Sequence, residues 1–98
     1  MTAEETILEM LKVDLSKMNP DPATIEYLNQ LISVAEAEIQ AEGIKLNLED
    51  ISHMQTVEMY AAYLYRKRAS SNSAMPRMLR YRMNNLLFGQ KCGGRDGQ

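Results

Sequence analysis

The sequence predicts an all-α domain of four helices that ends in a flexible C-terminal tail. Four segments carry apolar residues at spacings of three and four, the period of a helix with one face in a core. The run I-K-L-N-L at 44–48 alternates like a strand, but no second such run exists to pair with it, so we interpret it as an extended connector. A chain of 98 residues holds one domain, assigned to 1–91, and residues 92–98 form the tail.

The first predicted helix is short and begins at a capping box. Thr2 and Glu5 have the spacing at which each side chain bonds the backbone amide of the other residue. The helix ends near Val13, and residues 15–20 form a loop that contains a turn-forming Asn-Pro pair. Three residues of this helix are expected in the core: Ile7, Leu8 and Leu11.

The second predicted helix is the longest and has signals at both ends. Asp21 is its N-cap and Pro22 its first residue, a position where the fixed φ of proline is already helical. Gly43 follows its last turn as the residue that ends the helix. The predicted core stripe is Ile25, Leu28, Ile32, Ala35 and Ile39.

The sequence offers two possible starting points for the third predicted helix. Ser52 with Gln55 offers a capping box, whereas Asn47 is suited to begin an earlier turn. The helix runs to about Ala69 and ends in three basic residues, which the helix dipole favours there. Its predicted core residues are Val57, Tyr60, Ala61 and Leu64.

The fourth predicted helix lies between Pro76, which suits a first turn, and Gly89, which suits the position just past the end. Arg77, Arg80 and Asn84 fall on the side away from the core, and the segment contains no acidic residue. This helix therefore offers positive charge and no catalytic chemistry. Its predicted core stripe is Met75, Leu79, Met83 and Leu86.

Charge is distributed unequally along the chain. Residues 1–58 contain three lysines and twelve acids, a net charge of −9, whereas residues 59–98 contain eight basic residues and one acid, a net charge of +7. Such halves indicate a basic face for a polyanion or complementary surfaces through which copies pack acid against base. Folding of the two halves against each other would also cancel the charges.

A basic cluster with interleaved tyrosines lies in the second half. Its composition is typical of a nucleic-acid surface, because arginine binds phosphate and tyrosine stacks on bases. No groove-reading motif accompanies it, and solvated helix ends or salt bridges between subunits explain the cluster equally well. Its members are Arg66, Lys67, Arg68, Arg77, Arg80 and Arg82.

Three helices retain apolar residues after their core stripes are assigned. A domain of this size has little reason to expose all of them, so we expect self-association. The unequal charge halves favour a head-to-tail ring over a two-fold dimer. The residues expected at a subunit interface are Tyr27, Leu31, Val34, Met59, Tyr63, Met78, Tyr81 and Phe88.

The sequence offers no set of residues for catalysis. His53 is the only histidine, and no second ligand accompanies it at metal-binding spacing, so a structural role is expected. Cys92 has no disulfide partner. Known catalytic and nucleotide-binding motifs are absent, as are a signal peptide and an apolar run of about 20 residues. We predict a protein that is not an enzyme, binds no cofactor or metal, and does not enter a membrane.

Three stretches resemble the head-tail connector (adaptor) proteins of tailed bacteriophages and prophages. They are A-E-A-E-I-Q-A-E-G-I, M-Y-A-A-Y-L-Y-R-K-R and M-P-R-M-L-R-Y-R-M-N-N-L-L-F, and the resemblance spans about residues 7–91. The second helix opens with Asp21-Pro22 where such sequences often have paired acids. The family contributes a pattern of helices and landmark residues and no catalytic signature.

The resemblance implies a structural role in virion assembly. Connectors of this type form a ring of about a dozen copies beneath the portal, extend the channel for packaged DNA and receive tail-completion proteins. It implies assembly in the host cytoplasm, a final place at the head-tail junction, and at most sequence-independent contact with DNA. The alternative from the residues themselves is a small nucleic-acid-binding regulator that uses the basic half. A peripheral membrane protein using the fourth helix ranks last.

Overall fold

The computed structural model describes residues 2–70 and 74–93, and their regular structure is entirely helical. The four helices are α1 (Ala3–Asp14), α2 (Pro22–Ala41), α3 (Ile51–Ala69) and α4 (Arg77–Gly93). These residues contain no strand, so the connector at 44–48 is as predicted. The all-α class and the four helices are confirmed. The predicted tail overlaps the end of α4, and its residues 94–98 lie outside the described part of the chain.

The sequence signals for α1 and α2 act as expected. In the capping box, the Glu5 amide donates to Thr2 Oγ1 at 3.1 Å and the Thr2 amide donates to Glu5 Oε1 at 2.8 Å. Asp21 Oδ1 accepts from the Thr24 amide at 2.8 Å. Gly43 has a φ of +97°, which an L side chain rarely adopts, so glycine permits the turn after α2.

Two predicted helix ends are wrong. The cap of α3 is Asp50, whose carboxylate accepts from the Ser52 amide at 2.8 Å, so Ser52 lies inside the first turn. The carbonyl of Asn47 accepts from the Asp50 amide at 2.9 Å, which confirms the earlier turn. Helix α4 continues through Gly89 to Gly93. A tertiary contact holds the chain beyond Gly89, because the Gln90 side chain binds the connector.

The core lies between α1, α2 and α3 and extends to one side of α4. Each of the first three helices packs against the other two, whereas α4 packs mainly against α3. Most of the predicted core stripes are fully buried, and Ala62 joins them although the sequence analysis did not select it. The buried apolar residues are Ile7, Leu11, Leu28, Ile32, Ala35, Ile39, Ile44, Val57, Tyr60, Ala61, Ala62, Leu79 and Met83.

Candidate interaction surface

The outer face of α4 is the candidate interaction surface, and we define it as Arg77, Met78, Tyr81, Asn84 and Phe88. Four of them, all but Met78, follow one another at spacings of four, three and four, so they form one stripe along the helix. The side chains are exposed, with 61% of Met78, 62% of Tyr81 and 69% of Phe88 accessible. Two aromatic rings, separated by two helical turns, therefore lie in solvent.

The opposite side of α4 is embedded in the core. Leu79 is 0% exposed and Met83 is 1% exposed. Leu86 is half-buried against the same core. An ordinary surface helix has one apolar side and one polar side, whereas α4 carries apolar residues on both. Packing in the core accounts for the apolar residues of the inner side, but it does not account for those of the outer face.

Three contacts fix the orientation of α4. Gln90 forms a two-point contact with the connector, where its Oε1 accepts from the Lys45 amide at 2.9 Å and its Nε2 donates to the Lys45 carbonyl at 2.7 Å. Arg80 forms an ion pair with Glu42 at 3.0 Å. The turn after α2 lies close to α4, since a Cβ on Gly43 would be 3.5 Å from Leu87 Cδ1. These contacts direct the outer face away from the core.

A shallow groove adjoins the outer face where α3 begins. It has a volume of about 310 Å³, and its walls include Thr56 of α3 together with Met78 and Tyr81 of α4. Thr56 Oγ1 donates to the Ser52 carbonyl at 2.8 Å, so this hydroxyl is already satisfied. Ser52, Arg82 and Asn85 also line the groove, so its lining combines apolar and polar side chains.

The structure divides the predicted interface residues into two groups. Tyr27, Leu31, Met59 and Tyr63 are half-buried, and those on α3 as well as Leu31 pack against the core. The second group is accessible and consists of Val34, at 45% exposed, and the three apolar residues of the outer face of α4. Participation of either group in an interface stays a prediction, and the second group is available without any rearrangement.

Most of the predicted basic cluster is engaged within the chain. Arg66 pairs with Asp14 at 3.0 Å. Lys67 lies 5.7 Å from the centre of the Tyr63 ring, and Arg68 lies 5.4 Å from that of Tyr27. These cation–π contacts use tyrosine faces on which a nucleic-acid base would otherwise stack.

The rest of the basic cluster is on α4. Arg80 pairs with Glu42, whereas Arg77 is exposed and Arg82 is half-buried beside the groove. The six residues therefore do not form one continuous basic surface free for phosphate. Arg77 and Arg82 are the members whose side chains the described contacts do not bind to an acid or a ring.

The sequence analysis missed a carboxyl pair in which Glu58 is buried and its partner Asp14 is exposed. Glu58 is only 9% exposed, and its Oε2 has no hydrogen-bond partner within the described residues. Burial, then the hydrogen bond with Asp14 and the charge of Asp14, raise the pKa of Glu58 to about 8. The same hydrogen bond, together with Arg66, lowers the pKa of Asp14. The available signal was the position of Glu58 next to Val57 and one turn before Ala61 and Ala62.

His53 has a structural role, as its sequence context predicted. The ring is 8% exposed, and its Nδ1 accepts from the Asn47 amide at 2.9 Å, which joins the connector to α3. Within residues 2–70 and 74–93, no three His, Cys, Asp or Glu side chains approach closely enough to hold a metal ion.

Wider comparisons do not assign the chain to a known group. No family model, curated protein or solved structure matches it. In the part of the chain that the structure describes, no helix combines the length and the apolar character needed to cross a bilayer.

Proposed function

We propose that this chain is a structural adaptor of a tailed phage or prophage. It assembles as a ring beneath the portal, extends the channel for packaged DNA and receives tail-completion proteins. The observation that carries the proposal is the outer face of α4, where Met78, Tyr81 and Phe88 are more than half exposed on a helix whose other side packs into the core. The resemblance of residues 60–91 to connector proteins is the reason for proposing a ring beneath the portal.

The chemistry of the outer face supports a contact with protein. Aromatic side chains and methionine are enriched at protein interfaces, because they bury a large apolar area with few rotatable bonds. Arg77 at one end of the stripe adds a group that binds carboxylates in a bidentate manner. The groove beside Tyr81 is a concave surface into which a side chain of the partner protein could fit.

A nucleic-acid-binding regulator has less support. Such a protein needs basic residues that are free to release counterions from phosphate. Arg66 and Arg80 pair with acids in this chain, and Lys67 and Arg68 lie over tyrosine rings. Arg77 and Arg82 suffice for weak, sequence-independent contact with DNA in a channel.

In the proposed role, assembly takes place in the host cytoplasm and the finished ring is part of the virion.

The test is co-sedimentation with portal rings encoded by the same genome, followed by electron microscopy. We expect added density beneath the portal with the unaltered chain. The triple variant Met78→Ser, Tyr81→Ser, Phe88→Ser should fold normally, because these side chains are exposed, and should lose the density.

The matched control is Val13→Ser with Met18→Ser, two exposed apolar residues near the loop between α1 and α2. This control should bind portals as the unaltered chain does. Absence of density with a folded chain and intact portals would overturn the proposal. Tight duplex binding with sequence preference in the same preparations would then favour the regulator.

A further inference from the structure

We propose that the outer face of α4 packs against α2 of a second copy, in a head-to-tail arrangement. The partner surface on α2 is the side opposite its core stripe, which we define as the outer face of α2: Ala23, Glu26, Gln30, Ser33, Val34 and Ala37. This inference rests on the proposed function, because the closed ring comes from the adaptor role. It adds the two surfaces through which neighbouring copies meet. It assigns the outer face of α4 to a neighbouring copy and not to the portal.

Charge identifies the two helices as partners. Helix α2 contains three glutamates and no basic residue, whereas α4 contains three arginines and one lysine and no acid. Two of these glutamates are engaged within the chain, since Glu36 is half-buried near Glu4 of α1 and Glu38 accepts a hydrogen bond from the Tyr60 hydroxyl. Glu26 is exposed on the outer face of α2, and Arg77 is exposed on that of α4. Contact between copies would place these unlike charges together in a partly desolvated surface.

The start of α1 adds further negative charge beside α2. Glu4 on α1 lies close enough to Glu36 on α2 for its charge to add to burial in raising the pKa of Glu36. One oxygen of Glu36 is buried without a partner among the described residues. Glu36 is not part of the outer face of α2, so these two charges add to the acidic field of this side and are not placed in the proposed contact.

The shapes of the two faces are compatible. Small side chains along the outer face of α2, including Ala23, Ser33 and Ala37, allow another helix to approach closely. The outer face of α4 supplies the large side chains, with Tyr81 and Phe88 two turns apart. Large residues on one helix and small residues on the other interdigitate, whereas two copies of the same face would not.

A two-fold contact between α4 helices is disfavoured by the same residues. It would bring Arg77 and its neighbouring arginines against an identical basic helix, and like charges in contact are repulsive. The two outer faces belong to helices that both pack on α3, and α2 and α4 share no extensive contact. Each copy therefore offers one surface of each kind, which is the requirement for a head-to-tail assembly.

The experiment reverses charge on one face at a time. The first variant is Arg77→Glu with Asn84→Glu on α4, and the second is Glu26→Lys with Gln30→Lys on α2. All four side chains are exposed, so folding should be unchanged and is checked by circular dichroism. Self-association is measured by sedimentation equilibrium up to about 1 mM, which detects contacts as weak as roughly −4 kcal/mol.

We expect the unaltered chain to associate and each variant alone to associate about tenfold more weakly, because its own faces now carry like charge. An equimolar mixture of the two variants should recover association, since each then meets an oppositely charged partner. Full association of the α2 variant alone would indicate an α4 to α4 contact and overturn the proposal. A mixture that fails to recover, or an unaltered chain that is monomeric at about 1 mM, would overturn it as well.

Portal binding separates this inference from the proposed function. If the unaltered chain binds portals but the charge variants associate normally, the interface is wrong and the adaptor role is kept. If the mixture restores association but no preparation binds portals, the interface is kept and the adaptor role is wrong. If the α4 variant loses portal binding while its self-association is unchanged, the outer face of α4 belongs to the portal contact and the inference is overturned.

Discussion

The three-helix unit, α1 to α3, and the fourth helix are built differently. Each helix of the three-helix unit packs against the other two, and Ile7, Leu28 and Val57 in its core are 0% exposed. Helix α4 lies against α3 and the connector, with Leu79 and Met83 as its fully buried residues. Helix α4 has two fully buried residues, as α1 does, but among the described residues it exposes three large apolar side chains, where each of the other helices exposes one.

The difference separates the part of the molecule that maintains the fold from the part available for binding. A helix held by one packed side and a few polar contacts has less free energy of docking than one surrounded by neighbours. The same position at the edge leaves its second side accessible. Exposure of Tyr81 and Phe88 is thus a consequence of where α4 lies, and it leaves an accessible apolar surface on this helix.

The largest expected effect comes from core truncation in the three-helix unit. Ile32→Ala removes a side chain that is 1% exposed and should lower the free energy of unfolding by about 3 kcal/mol. Leu79→Ala, at an equally buried position in α4, should mainly undock that helix. Urea denaturation followed by circular dichroism measures the first effect, and hydrogen exchange of individual amides measures the second.

In the Leu79→Ala variant, amides of α4 should lose protection while those of α2 retain it. Equal loss of protection in α2 and α4 would contradict the comparison, since the chain would then unfold as a single cooperative unit. Met78→Ala is the matched control on the same helix. Its side chain is 61% exposed, so neither stability nor exchange should change appreciably.

A pH-dependent effect is expected within the three-helix unit alone. The pKa of Glu58 is raised from 4.5 to about 8 in the folded chain, so folding is favoured while this carboxyl is protonated. Its contribution is fully present below about 4.5 and is lost as the pH rises through about 8. The free energy of unfolding should fall by on the order of 2 kcal/mol across this window, the scale of a buried charge without full hydrogen bonding.

Glu58→Gln should remove the contribution of Glu58, because an amide keeps a donor for Asp14 and does not ionise. The raised pKa of Glu36 leaves a residual dependence of the same sign. The pKa of Asp14 is lowered, so its contribution to stability is lost as the pH falls. This loss occurs below the ordinary value of 3.8 and therefore outside the window. Denaturation curves at a series of pH values measure the effect, with the exposed Glu26→Gln as control. If the free energy of unfolding of Glu58→Gln changes with pH as steeply as that of the unaltered chain, Glu58 is not the source of the dependence.

The smallest expected effect concerns the attachment of α4 to the connector. Gln90→Ala removes both hydrogen bonds to the backbone of Lys45 and should weaken docking of α4 by about 1 kcal/mol. Hydrogen exchange should accelerate in α4 and remain unchanged in α1 and α2. Gln30→Ala, an exposed glutamine of α2, is the control for loss of a side chain amide. Unchanged exchange in α4 would mean that apolar packing alone holds the helix.

Local signals made α1 and α2 predictable in detail. The capping box at Thr2 and Glu5, the Asp21 cap and the turn at Gly43 depend on residues three or four positions apart, so the sequence contains both partners of each interaction. The end of α4 was not predictable in this way. Its continuation past Gly89 depends on Gln90 and Lys45, which are 45 residues apart in the sequence.

The candidate site was predictable only in part, for the same reason. Helical periodicity identified Met78, Tyr81 and Phe88 as residues outside the core stripe, and the structure places all three in solvent. Periodicity identified Tyr27 and Tyr63 equally, yet neighbouring helices and basic side chains cover them. The pairing of Arg66 with Asp14 and of Arg80 with Glu42 also joins residues far apart in the sequence.

The sequence by itself determined the all-α class, the four helices and which side of each helix is apolar, because these properties depend on spacings of three and four residues. Tertiary structure alone decided which surplus apolar residues are covered, which arginines are neutralised and which carboxyl is buried. Each of those outcomes depends on the free energy of desolvating a group against neighbours from another helix. Helical spacing does not contain that information, since it fixes directions around one axis and not the distances between axes.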